Sequence, residues 1–211
     1  MTWFEVLVEG ASDVPAVREV LTRRFGLVEA QHFRIHPHQG KGKLPDNPLA
    51  APDPLQRQLL HQLPAKLRGY AKSLTEDSVV VVVVDTDSTP CAALLAELNA
   101  MLSQLPRRPK RVLFRLAIEE TESWFIADPA AVKAAFPKAK VGPLIKIAPD
   151  TVVGAWERLA EVIGTPGKSS GAEKRRWAAL ICPHLNLDNP ASPSLQKLIS
   201  GIDRELKMSA P

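Results

Sequence analysis

The chain has 211 residues, a size that suits one buried core with a small appendage. Hydrophobic residues make up 45% of it and charged residues 24%, and no stretch approaches the roughly 20 apolar residues that a membrane span needs. The two cysteines are too few for a disulfide scaffold, and the N-terminus lacks the shape of a signal peptide. We therefore expect a cytoplasmic protein without membrane association, whose net charge of +4 permits but does not require polyanion binding.

Strand and helix patterns alternate through the first two thirds of the chain. Residues 3–8 are rich in β-formers and stop at Glu9-Gly10, and apolar residues then recur at helical spacing until Gly26. Residues 31–36 predict a second, short strand. The segment from Pro37 to Pro54 is rich in proline and glycine, and a loop of this length is usually functional or disordered. A helix is predicted to follow, from residue 55 to about residue 72.

The strongest single pattern is the run of six valines from Val79 to Val84. Its length and β-branched composition, without polar alternation, predict a central strand that is covered on both faces, as in parallel sheets. Asp85-Thr86-Asp87 follows at its carboxyl end. A helix from Pro90 to about residue 105 and a further strand over residues 111–118 complete this part of the chain.

The last third is predicted to be helical. Helices are expected at residues 123–126, 129–136, 151–163, 172–182 and 193–206, with a flexible connector over residues 164–171. The whole pattern predicts an α/β fold with a mostly parallel, Rossmann-like central sheet flanked by helices. We divide the chain into an α/β domain, residues 1–140, and a helical C-terminal extension, residues 141–211, packed on it.

Acidic residues follow three of the predicted strands. Glu9 follows the first strand, and Asp85 and Asp87 follow the valine strand. The strand over residues 111–118 is followed by Glu119, Glu120 and Glu122. Parallel strands bring their carboxyl ends to one edge of a sheet, where ligands bind, so we expect these acids to meet there with Asp13. Clustered carboxylates repel one another, and an oxygen-rich site suits Mg²⁺ or Mn²⁺. The alternatives are N-cap roles for Asp13 or Asp87 and solvated helix-start positions for the glutamates.

These motifs carry a family resemblance over roughly residues 3–128. Val8-Glu9-Gly10-Ala11-Ser12-Asp13, together with the valine strand and Asp85-Thr86-Asp87, resembles the TOPRIM domain, and most closely that of the overcoming-lysogenization-defect (OLD) nucleases. Residues 117–128 and 192–198 are similar to segments of an uncharacterised bacterial family of stand-alone TOPRIM-like proteins. Some members of that family are encoded beside ATPases in phage-defence systems.

The resemblance implies a role for each matching acid. Glu9 would be a metal ligand or general acid/base, and Asp85 and Asp87 would bind Mg²⁺; these three would form the catalytic set. Asp13 and one of the three glutamates that follow residues 111–118 would help to hold a second ion, with Glu122 favoured over Glu119.

The expected function is metal-dependent hydrolysis of nucleic-acid phosphodiesters by two ions, on DNA in preference to RNA. The same resemblance implies an ATPase partner in phage defence. Lys41, Lys43 and Lys174 are the candidate phosphate contacts. The main alternative is a non-catalytic TOPRIM module that binds nucleic acid or docks on a partner protein. A phosphotransfer domain of the receiver or haloacid type is disfavoured, because such folds usually carry Asp where this chain has Glu9.

Overall fold

A computed structural model describes residues 2–165 and 170–208 of the chain. The described residues form four strands and eight α-helices, with a π-helical turn at Val20–Arg24 and 3₁₀ turns at Leu144–Lys146 and Cys182–His184. The elements in chain order are β1 (Trp3–Val8), α1 (Val14–Glu19), β2 (Phe33–Pro37), α2 (Leu59–Ser73), β3 (Ser78–Asp85), α3 (Cys91–Gln104), β4 (Arg111–Ala117), α4 (Glu122–Ile126), α5 (Pro129–Ala135), α6 (Ala155–Ile163), α7 (Gly171–Ile181) and α8 (Pro193–Lys207).

The four strands form one parallel sheet in the order β2-β1-β3-β4. Leu7 pairs with Val82, and Asp85 pairs with Ala117, so the strands end at one common edge. The predicted α/β fold with a parallel sheet is confirmed. No helix among residues 2–165 and 170–208 has the length and apolar character needed to cross a bilayer.

The valine strand is buried on both faces, as its composition predicted. Val79, Val81 and Val83 pack in a cluster with residues of α1 and of the helices from α4 to α8. Val80, Val82 and Val84 pack on the other face, against α2 and α3. Because side chains alternate along a strand, an uninterrupted apolar run supplies both layers of the core.

The C-terminal helices share the larger of these two clusters with the sheet. Trp124 of α4 and Trp177 of α7 belong to it, together with Leu195 and Leu198 of α8. The indole Nε1 of Trp124 also donates to Ser194 Oγ over 2.8 Å, which joins α4 to α8. The predicted division at residue 140 therefore falls within a continuous apolar core, and the division itself stays a prediction.

Two helices begin later than the sequence predicted, each for a local backbone reason. α2 begins at Leu59 instead of residue 55. The backbone N–H groups of Leu59 and Leu60, which have no partner within the helix, donate to the carbonyls of Gly40 and Lys41. α6 begins at Ala155 instead of residue 151, because Gly154 takes a left-handed conformation with φ of 73°. The predicted connector over residues 164–171 lies partly outside the described residues, at 166–169.

Candidate active site at the carboxyl edge of the sheet

Acidic side chains from three strand ends meet at the carboxyl edge of the sheet. Glu9 follows β1 and Asp85 ends β3, and Glu9 Oε1 accepts a hydrogen bond of 2.7 Å from the backbone N–H of Asp85. The sequence expectation that these distant acids lie side by side is met. We define the acidic group as the five residues whose charges act on one another here: Glu9, Asp13, Asp85, Glu120 and Glu122.

Asp13 joins this group and does not cap α1. It occupies the N-cap position of α1, but its side chain accepts no hydrogen bond from that helix. Asp13 Oδ2 instead accepts from the backbone N–H of Gly10 over 2.8 Å, and Oδ1 accepts from the hydroxyl of Thr121 over 2.8 Å. These contacts tie the turn after β1 to the segment after β4, and Asp13 is 5% exposed.

Burial and mutual repulsion disfavour ionisation of Glu9, Asp13, Asp85 and Glu122. Burial raises the pKa of Glu9 to about 8, and the neighbouring charge of Asp13 adds to this increase. The pKa of Asp85 lies well above its ordinary value, through burial first and then through the charges of Asp13, Glu9, Glu122 and Glu120. Carboxylates held in this way favour any cation that enters among them.

A lysine from the C-terminal helices supplies one cation to the group. Lys174 Nζ lies 2.8 Å from Glu120 Oε1 and 3.9 Å from Glu122 Oε1. Burial raises the pKa of Glu122 to about 7, although Lys174 acts to lower it. Burial also acts to lower the pKa of Lys174, but Glu122, Glu120 and Asp85 outweigh that effect, so the net pKa is raised. Lys174 is therefore a charged member of the site, and not a free lysine on a solvated face.

Two tryptophans position this ammonium. Trp156 of α6 stacks on Trp177 of α7 with ring centroids 5.6 Å apart, and Lys174 Nζ lies 5.2 Å from the centroid of the Trp156 ring. The backbone N–H of Trp156 donates to Glu120 Oε2 over 3.3 Å. No spacing in the sequence links residues 120, 156 and 174, so this arrangement was not predicted. For the same reason Glu119 and Glu122 were favoured over Glu120 as candidate ligands.

Asp87 and Lys41 form the exposed side of the site. Asp87 has φ of 46°, in the left-handed region, and 60% of its side chain is exposed. Lys41 Nζ lies 3.0 Å from Asp87 Oδ2 and donates to the carbonyl of Thr86 over 3.1 Å. The backbone N–H of Gly40 donates to the carbonyl of Glu9, which fixes the proline-rich loop against the acidic group. The charge of Asp87 raises the pKa of Glu9 only as a minor contribution.

Two predicted site residues lie apart from the acidic group. Both carboxylate oxygens of Glu119 accept from the N-terminus of α6: Oε2 from the N–H of Ala155 over 2.9 Å, and Oε1 from that of Gly154. Glu119 thus caps a helix, which argues against the metal-ligand role expected for it. Lys43 is exposed, and among the described residues it forms no hydrogen bond or ion pair with the acidic group.

The chemistry of the donor set fits a hard divalent cation. Every candidate ligand is a carboxylate, and oxygen donors select Mg²⁺ or Mn²⁺ over softer metals. In residues 2–165 and 170–208, however, no three acidic, histidine or cysteine side chains are placed to hold one ion as they stand. The oxygens are instead engaged with backbone N–H groups, a hydroxyl and Lys174. A bound cation would require some of these side chains to turn.

Residues 8–203 match the model of a family described as a domain of unknown function, DUF4276. The chain belongs to this family. The DUF4276 match includes all five members of the acidic group and Lys174. No curated protein matches the chain.

Solved structures of OLD proteins have a similar fold. The C-terminal region of the Burkholderia pseudomallei OLD protein is 13% identical, with 96% of this chain and 98% of that chain covered and a TM-score of 0.50. The corresponding region of the Xanthomonas campestris pv. campestris OLD protein is 13% identical, with 97% and 96% covered and a TM-score of 0.49. The expected similarity to OLD proteins is confirmed for the fold alone, whereas the TOPRIM assignment and a stand-alone existence remain predictions.

Proposed function

We propose that this DUF4276 protein is a nuclease that hydrolyses nucleic-acid phosphodiesters with Mg²⁺ or Mn²⁺. One observation carries the proposal: five carboxylates that follow three strands share one partly buried site, and burial raises the pKa values of Glu9, Asp13, Asp85 and Glu122, which disfavours their negative charge in the absence of a cation. Burying uncompensated carboxylates costs free energy, so a protein of ordinary stability retains such a group for a use.

Glu9, Asp13 and Asp85 are the proposed ligands at the centre of the site, with Glu122 and Asp87 on either side. A bound divalent cation would activate a water molecule and offset charge on the leaving oxygen. Glu9 can serve instead as the general acid/base, the other role that the resemblance to TOPRIM domains implies for it. Glu119 is left out of the set, since its oxygens cap α6.

The chain's own cations flank these acids. Lys41 lies on the exposed side with Asp87, and Lys174 lies on the side of α7 with Glu120. We propose that both ammonium groups contact phosphate oxygens of the bound strand. Because the strand is negatively charged, its binding at an acidic site requires positive charge on both sides of that site. Lys43 is a peripheral contact in this scheme, because it is exposed on the same loop as Lys41.

The motifs that resemble TOPRIM domains and the shared fold with the C-terminal region of an OLD protein support the proposal. In keeping with that resemblance, we propose a cytoplasmic protein that acts on DNA in preference to RNA. We further propose that it works beside an ATPase partner in phage defence.

A second candidate is a non-catalytic module that binds nucleic acid or docks on a partner protein. The specific observation in its favour is that Lys174 already compensates part of the negative charge, through its ion pair with Glu120. In that case the site would be stable without metal, and the acids would have a structural role.

The deciding experiment measures cleavage of supercoiled plasmid, single-stranded DNA and RNA by the purified chain with Mg²⁺, with Mn²⁺ and with EDTA. We expect metal-dependent cleavage of DNA, which falls about 100-fold or more in Asp85→Asn and in Glu9→Gln. Glu97→Gln is the matched control, because Glu97 is exposed on α3, away from the site. Cleavage that persists in both site variants would indicate a contaminant. Binding of DNA without cleavage under any metal would favour the non-catalytic module.

A further inference from the structure

A positively charged groove, separate from the acidic group, lies along β4 at the edge of the sheet. It runs between α3, β4 and α8 and has a volume of about 520 Å³. Leu95, Phe114, Leu116 and Ile118 give it an apolar wall, and Arg115, Lys197 and Arg204 bring three cations to it. Its lining residues include no member of the acidic group.

Arg115 is the anchor of this groove. Its guanidinium is half-buried and donates to two backbone carbonyls, from Nε to Lys197 O over 2.8 Å and from Nη1 to Phe114 O over 2.7 Å. Burial lowers the pKa of Arg115, and Arg204 lowers it further. The guanidinium packs against Gly201 of α8, where any larger side chain would collide with it. The fold therefore makes room for a partly desolvated positive charge.

The nearby acids compensate these cations only in part: the charge of Glu205 acts to raise the pKa of Arg115, but Glu205 forms its ion pair with another residue. On α8, Glu205 pairs with Arg111 over 2.7 Å, and Asp203 pairs with Lys207 over 2.6 Å. Asp150 lines the groove, but its Oδ1 accepts from Ser192 Oγ and its Oδ2 from the N–H of Ser194, each over 2.7 Å. Within residues 2–165 and 170–208, Arg115, Lys197 and Arg204 form no ion pair with a carboxylate within 4 Å. The groove is thus left with an excess of positive charge.

We propose that this groove binds a nucleotide-class ligand, in which a multiply charged phosphate is joined to a flat apolar group. Guanidinium groups match phosphate oxygens in geometry and charge, and Arg204 is exposed and able to bind them directly. Arg115 adds positive charge at the wall of the groove, because its Nε and Nη1 already donate to carbonyls. The apolar wall provides a surface for the base, and the volume lies in the range of small-molecule sites. The site is separate from the acidic group, no member of which lines the groove.

Cys91 provides a reporter inside the groove. Cys91 lines it and is half-buried, whereas Cys182, the other cysteine, is fully buried. A thiol reagent such as DTNB should therefore react with Cys91 alone in the native protein, which the Cys91→Ser variant checks. The probe ligand is AMP, added with EDTA so that the acidic group holds no metal and the result does not depend on the proposed nuclease activity.

We expect AMP to slow the reaction of Cys91 with DTNB in a saturable way, and inorganic phosphate to do so only at higher concentration. Arg204→Gln at the exposed end and Arg115→Gln at the anchor should each raise the dissociation constant of AMP about tenfold or more. Lys207→Gln on the same helix, outside the groove, is the matched control. Absence of protection by millimolar AMP, equal protection by phosphate, or unchanged protection in Arg204→Gln would overturn the proposal.

Discussion

Glu122 is the most deeply buried carboxylate of the acidic group, with 3% exposure. Burial raises its pKa from an ordinary value of 4.5 to about 7, so between these values the folded chain keeps a proton that the unfolded chain has released. The stability that this proton confers is complete below the unfolded pKa and is lost as pH rises through the folded pKa. Glu9, with a pKa of about 8, acts in the same direction.

We therefore expect the metal-free protein to lose stability as pH rises. Through Glu122 alone the free energy of unfolding should fall by about 2–3 kcal/mol between about pH 5 and about pH 8, and Glu9 should add to this fall, measured by denaturant titration in EDTA. Glu122→Gln removes one titrating group and should make the slope shallower, whereas the exposed Glu97→Gln should leave it unchanged. A flat profile for the unmodified chain would contradict the electrostatic account of the site.

Glu119 lies three residues before Glu122 but has a different role, because its carboxylate caps α6. Glu119→Ala should lower the free energy of unfolding by about 1 kcal/mol, as for the loss of other helix caps. It should leave the affinity for Mg²⁺ unchanged in calorimetric titration, in contrast to Asp85→Asn. A large loss of metal affinity in Glu119→Ala would restore the role as a ligand that the sequence suggested.

At the scale of elements, α7 connects the acidic group to the helical part of the chain through Lys174. Lys174→Met removes the ammonium and leaves the stem that packs on Trp156, so the acids lose their internal cation. We expect the free energy of unfolding of this variant to be lower by about 2 kcal/mol near pH 8 in EDTA. Added Mg²⁺ should then stabilise the variant more than it stabilises the unmodified chain.

The comparison is made by thermal unfolding across a Mg²⁺ titration, with Arg158→Met as the control for a lost ion pair. Arg158 pairs with Glu161 at the exposed surface, where such pairs contribute little to stability. If Lys174→Met gains no more from Mg²⁺ than Arg158→Met does, then Lys174 and a divalent cation do not act on the same acids.

At the scale of the whole molecule, the sheet and the C-terminal helices share one apolar cluster that includes Trp124, Trp177 and Leu198. Because neither part can bury its share of that surface alone, we expect a single cooperative unfolding transition for the full chain. A fragment of residues 1–140 should not fold cooperatively, as judged by near-ultraviolet circular dichroism. Two separate transitions in the full chain, or a folded fragment, would instead support independent domains.

The sequence by itself determined the sheet and the meeting of Glu9 and Asp85 at one of its edges. Six valines in a row can satisfy burial only as a strand covered on both faces, and a parallel sheet then brings Glu9 and Asp85 to one edge. Local chemistry along the chain was sufficient for these predictions, because strand periodicity and turn residues act over short distances.

Only the tertiary structure decided which acids face one another and which cation joins them. Glu119 and Glu122 look alike in the sequence, yet one caps α6 and the other is buried beside Lys174. That outcome depends on where α6 and α7 pack, which is set by contacts such as Trp156 on Trp177 between residues far apart in the chain. Long-range packing of this kind leaves no periodic signal in one sequence, so the role of Lys174 became visible only in the folded molecule.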